Sequence, residues 1–296
     1  MKRRQFIQSA GMLAAGLVVL RPTMMCGAPA SLMKSKGNTG LQLYTLRSEL
    51  KQGTAKEVLA KVAAAGYKEV ETYGFDPKNG FWGLSAKEFK AALKDNGLTS
   101  PSGHYGADKF IAKGGTKDDI MPYIEGAAET GQKYFTVPYL GAPLRTSADD
   151  YKHVAAKLNE ASQLCKSMNL KLAYHNHDFE FAQQGGTTGY DILLKETSAD
   201  DVEMELDIYW AVFAGLEPQK LFAEHPGRFS MWHVKDMSKS NRSHNDEVGT
   251  GSIDYKAIFA HASQAGLQHY FVEQETNYMP DIYDSIKTSA DYLKSI

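Results

Sequence analysis

Cysteine is nearly missing: Cys26 and Cys165 are the only two in 296 residues. Neither has cysteine partners at metal-site spacing, which speaks against a cysteine-based metal or redox centre, and if Cys26 leaves with a leader no internal disulfide remains. A charge excess of one sign is also missing. Lys and Arg number 33 against 35 Asp and Glu, a formal net charge of -2. A surface that tracks phosphate backbones needs a basic excess, so no nucleic acid partner is expected. The turn after the first apolar segment is Thr45-Leu46-Arg47-Ser48. It lacks the G-x-G-x-x-G of a dinucleotide fold, which counts against a doubly wound open sheet. Past the N-terminus no apolar run is long enough to span a bilayer, so no transmembrane segment is expected in the mature chain.

What the N-terminus does contain is a leader pattern over residues 1–30. Lys2, Arg3 and Arg4 precede an uncharged apolar stretch at 11–20, followed by Gly27, Ala28 and Ala30. This is the layout of a cleaved signal peptide, and the stretch is short for a membrane span. Arg3-Arg4 followed by Gln5-Phe6-Ile7 resembles a twin-arginine signal, which exports folded proteins. A general secretory signal is the other reading. Either one places the mature protein in the periplasm or otherwise outside the cytoplasm. Cys26 offers a lipoprotein attachment point, although Thr23-Met24-Met25 is a poor approach sequence. Residues 31–39 read as a polar linker.

From residue 40 to 296 one rhythm repeats. Short apolar segments fall at 40–44, 67–71, 99–104, 134–138, 171–175, 202–207, 229–234 and 269–273. They have the length and composition of strands covered by helices. Amphipathic segments lie between and after them, at 54–65, 85–96, 120–130, 148–168, 190–195, 218–224, 255–265 and 283–293. Val58, Leu59 and Val62 share one helical face, Ser85 is placed as a cap, and Gly66, Gly97, Gly131 and Gly266 fall where helices should stop. This alternation predicts a single-domain α/β fold, a (β/α)₈ TIM barrel.

In such a barrel the chemistry sits at the C-terminal ends of the strands. Those ends carry Gln42 and Tyr44, then Glu71, His104, Tyr139, His175-Asn176-His177, Asp207 with Trp210, His233 with Lys235 and Asp236, and finally Glu273 and Glu275. Asp207, His233 and Glu273 each follow an apolar run. A charge buried alone there is costly, so each needs a partner. Two carboxylates and an imidazole from neighbouring strands satisfy one another through a divalent ion, and His175 can supply a fourth ligand. Such a donor set suits Mn²⁺ first, with Mg²⁺, Co²⁺ or Zn²⁺ as alternatives. Taken singly, each residue has a plainer reading as a cap, a rim ion pair or a satisfied core histidine. The weight comes from four of them at one end of successive strands.

Other residues take supporting roles. His177 is a candidate base or hydroxyl contact, and Lys235 shares the parity of His233 and can face the site. Trp210 is either a sugar-ring wall or loop core. In the polar loop 237–251, His244 is a candidate substrate contact. Asp236 is better read as ordering that loop, and Asp254 as a helix N-terminal residue.

These segments together resemble the xylose-isomerase-like sugar isomerases and epimerases, relatives of the endonuclease IV fold. The resemblance rests on Gly40-Leu-Gln-Leu-Tyr-Thr-Leu-Arg47, Gly66-Tyr-Lys-Glu-Val-Glu71, Leu172-Ala-Tyr-His-Asn-His177, Leu206-Asp207, Trp232-His-Val-Lys-Asp236 and Gly249-Thr-Gly-Ser-Ile-Asp254. It implies a metal held by Asp207, His233 and Glu273, and a strand-five ligand that is usually glutamate. Here His175 stands in that place, so a symmetric two-glutamate proton relay does not carry over. Where a histidine frequently follows the strand-six aspartate by three places, Trp210 stands instead.

The residues and the resemblance share one expectation, proton abstraction next to a carbonyl through an enediolate. Glu273 or a histidine such as His175 or His177 is the base, Lys235 assists, and a histidine would need little tuning to work near neutral pH. The substrate is a small carbohydrate held among Gln42, Tyr44, Glu71, His104, Tyr139, His177, Trp210 and His244. Return of the proton makes an isomerase or epimerase. Loss of a leaving group makes a lyase acting on a 3-keto glycoside. A non-catalytic sugar-binding protein is the alternative of another class. Barrels of this kind often form homodimers, although no segment singles out an interface.

Overall fold

The eight short segments become strands because each is too short to make a stable helix and is covered by helices on its outer side. In the computed structural model, residues 38–296 are described; the leader and most of the linker lie outside them. The barrel strands are β1 (Thr39–Gln42), β2 (Glu69–Thr72), β3 (Thr99–His104), β4 (Tyr134–Val137), β5 (Lys171–His175), β6 (Val202–Asp207), β7 (Met231–Val234) and β10 (His269–Val272). They close in the order β1-β10-β7-β6-β5-β4-β3-β2. Every neighbouring pair is parallel, and closure is made by Gly40 opposite Phe271 and Leu41 opposite Val272. The barrel expected from the alternation is therefore the fold. Among the described residues no helix is long and apolar enough to cross a membrane.

The helices start where local chemistry permits. Thr54 with Glu57 and Ser85 with Glu88 form capping boxes at the helices Ala55–Ala64 and Ala86–Asp95. Each box pairs two amide donors that the first turn leaves free. Asp254 caps the helix Tyr255–Phe259 by accepting from the amide of Ala257. Gly131 ends the helix Met121–Thr130 in the left-handed region at φ +86°, where a side chain would be strained.

The barrel interior is filled below the site by Tyr134, Ala173, Met231 and Phe271. Gly40 leaves room for this plug, since a Cβ there would lie 2.5 Å from Cδ1 of Phe271. The main core lies between the strands and the helix ring, around residues such as Leu41, Val70, Phe89, Trp232 and Ile286.

Several segments differ from the sequence pattern, among them short helices at Arg47–Gln52, Asp108–Ile111 and Ile208–Phe213. Strand β1 ends at Gln42, because the Gln42 side chain accepts from the amide of Tyr44 and opens a 3₁₀ turn over Leu43–Leu46. The helix expected over 255–265 is two pieces, Tyr255–Phe259 and Ala262–Ala265. The loop after β7 contains a small antiparallel pair, β8 (Asp236–Met237) and β9 (Asn245–Asp246).

Candidate active site

Side chains alternate along a strand, so Glu205 and Asp207 of β6 point the same way, as do His233 and Lys235 after β7. Barrel register then decides who meets whom. His175 lies beside Glu205, and Asp207 beside His233. The result is a buried network at the C-terminal end of the barrel.

Its centre is a pair of carboxylates joined by imidazoles. Glu71 Oε2 lies 2.7 Å from His233 Nε2 and 3.1 Å from His104 Nε2. Glu205 Oε2 lies 2.8 Å from His104 Nε2, 3.1 Å from His175 Nδ1 and 3.4 Å from His233 Nε2. On the other side His233 Nδ1 lies 3.1 Å from Glu273 Oε2. Lys235 Nζ is held by Glu273 at 2.8 Å, Glu275 at 2.5 Å and Asp207 at 3.4 Å. Ligand atoms of two overlapping groups lie within 4.8 Å of one another: His104, His175, Glu205 and His233, and Asp207, His233 and Glu273.

Burial sets these groups far from their ordinary titration. It opposes charge on His104, but Glu71 and Glu205 outweigh it and lift the imidazole to about 9. His233 is also raised well above its usual value, against burial, by Glu205, Glu273 and Glu71. Burial holds His175 well below the usual range, and takes His177 down to about 3 with help from Lys235. Burial and repulsion from Glu71 push Glu205 up to about 7. Glu273 is desolvated too, yet Lys235 and His233 hold it below the usual carboxylate range. All four imidazoles are thus displaced from their ordinary range, His104 and His233 upward and His175 and His177 downward.

The donor set fits a divalent cation. Asp207 is wholly buried, and its Oδ2 makes no hydrogen bond. His175 Nε2 lies 3.9 Å from that oxygen. A neutral His175 that donates through Nδ1 to Glu205 leaves the Nε2 lone pair free. Among the described residues the only positive group beside that oxygen is the Lys235 ammonium at 3.4 Å, which is shared with Glu273 and Glu275, so a cation between the oxygen and the free imidazole nitrogen would relieve a poorly paired buried carboxylate. Asp207, His233 and Glu273 come together as the sequence expectation had them, while His175 sits in the adjoining group with Glu205.

Above this floor opens a cavity of about 360 Å³, lined by Tyr44, Tyr73, His104, Pro138, Tyr139, His175, His177, Glu273 and Glu275, with Gly74 and Gly106. Carboxylates stand on one wall, from the end of β10. Imidazoles stand on the other, from β3 and β5. A larger depression of about 800 Å³ at the opposite end of the barrel, beside Glu69, Lys90 and Lys133, contains none of these groups.

Tyr44, His104, Tyr139 and His177 thus reach the cavity as expected of substrate contacts. Four others do not. Gln42 is fully buried: its amide nitrogen donates to Glu71 and its amide oxygen accepts from the Tyr44 backbone amide. Glu71 is spent on Gln42, Ser102, His104 and His233. Trp210 sits behind His177, ring centroids 5.7 Å apart, because Asp207 caps the short helix Ile208–Phe213 that carries it. His244 lies in the connection between β8 and β9, away from the lining. Lys235 is also beneath the cavity, captured by its three carboxylates.

Sequence reasoning gave no role to Glu205, Tyr73 or Glu180. Glu205 had a signal: it stands two residues before Asp207, hence on the same strand face. Glu180 had none. It is fully buried behind the site, where its carboxylate accepts from the His177 amide at 2.8 Å and the Tyr174 hydroxyl at 2.6 Å.

Fold and site together define a closed α/β barrel with a cation-competent cluster of carboxylates and imidazoles at the catalytic end. The chain belongs to the xylose isomerase-like TIM barrel family, whose model matches residues 59–296. Among solved structures it is similar to two sugar phosphate isomerase/epimerases of Parabacteroides distasonis ATCC 8503. One is 28% identical, with a TM-score of 0.77 over 88% of this chain and 94% of that one. The other is 30% identical, with a TM-score of 0.73 over 87% and 98%. Among characterised sequences it is similar to the inosose dehydratase of Geobacillus thermodenitrificans (strain NG80-2), 23% identical over 74% of this chain and 81% of that one.

Proposed function

We propose that this protein is a divalent-metal-dependent isomerase or epimerase of a sugar or keto sugar that works by proton abstraction next to a carbonyl. One observation carries the reading: Asp207, His233 and Glu273 converge beneath a sugar-sized cavity whose opposite walls hold carboxylates and imidazoles, of which His175 and His177 are neutral. Asp207, His233 and Glu273 would hold the ion, with His175 beside them, and Mn²⁺ suits the donors best. Such an ion supplies Lewis acidity to a carbonyl oxygen.

The chain's own groups do the rest. Glu273 lines the cavity as a carboxylate held ionised by Lys235 and His233, and would be the group that takes the proton once substrate displaces part of that ion pairing. His177 faces it as a neutral imidazole, suited to a substrate hydroxyl. Its ring is fixed by stacking on Phe179, with an interplanar angle of 6°. Tyr44, Tyr73 and Tyr139 offer ring faces to the apolar side of a sugar, and shield the site from water.

A second reading is elimination, in which the same proton is lost and a group β to the carbonyl departs, as in a lyase acting on a 3-keto glycoside. Two things favour it: the two walls are chemically unlike, so proton return need not be symmetric, and an inosose dehydratase is among the similar proteins.

The test is incubation of metal-loaded protein with free ketoses, aldoses and 3-keto glycosides in D₂O, with products read by mass and NMR. Isomerisation or epimerisation leaves the skeleton intact and can place deuterium at the reacting carbon. Elimination loses water or an aglycone. Binding without turnover in any of these, with and without chelator, would leave a sugar-binding protein and end the enzymatic reading.

A further inference from the structure

The depression of about 800 Å³ at the end of the barrel away from the cation cluster takes no part in the chemistry described above. We propose that it is a second binding site, for an amphipathic anion: an apolar body that bears a carboxylate, sulfate or phosphate head. The inference is independent of the reaction performed at the opposite end.

The lining is largely apolar, and its own polar groups are satisfied. Leu93, Leu98, Pro101 and Ala91 contribute to it. The Ser100 hydroxyl donates to the carbonyl of Ser102 and accepts from the Gln132 amide, both at 3.0 Å. The Thr130 hydroxyl donates to the carbonyl of Gly126. Glu69 is the one carboxylate among the lining residues, and it is already taken: His269 Nδ1 lies 2.8 Å from it, and the Asn38 side-chain amide donates to it. A concave apolar surface of this size with few polar groups is the usual form of a small-molecule site.

Around that surface stand four ammoniums, those of Lys87, Lys90, Lys94 and Lys133. Steps of three and four places set the first three on one face of the helix Ala86–Asp95. Among the described residues none of the four side chains makes an ion pair or a hydrogen bond. Lysines elsewhere behave otherwise: Lys109, Lys152, Lys166, Lys171 and Lys220 each pair with a carboxylate. Acids outnumber bases over the whole chain, so four free cations around one spent carboxylate are a local departure. The fold gains nothing from it, because like charges four places apart on a helix, as at Lys90 and Lys94, destabilise it. A helix end favours one cation such as Lys94, but does not call for four.

The depression therefore has two unmet demands, cover for apolar surface and a counter-charge for the lysines. An inorganic anion meets only the second, and a neutral apolar molecule only the first. The chain's own N-terminal segment is unsuited, since residues 1–37 contain no Asp or Glu and carry Lys2, Arg3, Arg4, Arg21, Lys34 and Lys36. A molecule with an apolar body and an anionic head meets both, and the lysine stems lengthen the apolar wall that it would touch.

Calorimetry on the metal-loaded protein tests both demands, with hexanoate, octanoate and decanoate as anionic probes and octanol as the uncharged one. Two added methylenes should tighten binding roughly tenfold, and octanoate should bind about tenfold more tightly than octanol. Replacing Lys90 and Lys94 together by glutamine should abolish the preference for octanoate and leave octanol binding unchanged. Both side chains are exposed, so the variant should fold, which circular dichroism checks. Chelation should not alter decanoate affinity, which separates this site from the cation cluster. Sedimentation with phosphatidylglycerol or phosphatidylcholine vesicles distinguishes the sources. A preference for phosphatidylglycerol that the double variant loses identifies a lipid as the source, and decanoate binding without it identifies a soluble amphiphile; either supports the site. Equal affinity for the three alkanoates, decanoate binding unchanged in the double variant or lost on chelation, or no binding of decanoate overturns the inference.

Discussion

His175 Nε2 faces Asp207 Oδ2 across 3.9 Å, and that oxygen makes no hydrogen bond, the Lys235 ammonium standing 3.4 Å from it. These two groups sit on neighbouring strands, and a cation in the gap between them would have both as ligands.

If a cation fills that need, its removal should destabilise the protein, because Asp207, Glu273, Glu205 and Glu71 are buried together. Chelation should lower the thermal midpoint by several degrees, through loss of ligand stabilisation of about 3 kcal/mol at a hundredfold excess of metal over its dissociation constant. Asp207→Ala should lose metal and turnover together, by more than the ~10–100-fold that changes outside the ligand set cost. Glu273→Gln should retain more metal than turnover, since an amide oxygen still ligates but takes no proton. Metal analysis beside kinetics checks this. Full turnover in metal-free protein would show that the cluster is structural.

Gly40→Ala should destabilise the barrel. The new methyl group would meet Phe271 Cδ1 at 2.5 Å and the carbonyl of Tyr270 at 2.7 Å. Overpacking of this kind costs roughly 1–3 kcal/mol. Urea denaturation measures it, and a change within about 0.5 kcal/mol, typical of an unremarkable surface site, would contradict the packing described.

Glu180 predicts a pH dependence of stability. Burial pushes its carboxyl from 4.5 up to about 7. Between those values the folded state holds a proton that the unfolded state has released. Its contribution is therefore complete below the unfolded value and declines as pH rises toward about 7. A Glu180→Leu variant lacks this slope. The stability gap between wild type and variant should be wider near pH 5 than near pH 8. Denaturation at both pH values tests it, and a gap that widens with pH would refute the assignment.

The leader carries a proposal of its own. The mature protein should lack at least residues 1–25 and be found outside the cytoplasm. Replacing Arg3 and Arg4 together by lysine should block export if the twin-arginine route is used. Unchanged export would rule out that route and leave secretion intact.

Asp207, His233 and Glu273 were legible as one group because each ends a short apolar run, and strand order in a (β/α)₈ barrel follows chain order. Parity along a strand and position at its end are local properties, written within a few residues of sequence. Asp236 and Asp254 were assigned to loop ordering and capping on similar local grounds, and the amides they accept from lie within 17 residues. Across-barrel pairings were not legible. His233 meets Glu71 over a separation of 162 residues, and His104 meets Glu205 over 101. Only strand register and barrel closure bring such atoms together. The same holds for protonation. His177 is neutral and His104 charged because of burial and of carboxylates from distant strands, and an isolated histidine carries no mark of either. Lys235 shares the parity of His233, as its position dictates, but three remote carboxylates drew it under the cavity floor and away from substrate. The sequence by itself determined the barrel, the end that bears the chemistry and the donor types available there. The tertiary structure decided which donors face one another, because electrostatic energy depends on distances that the order of residues does not contain.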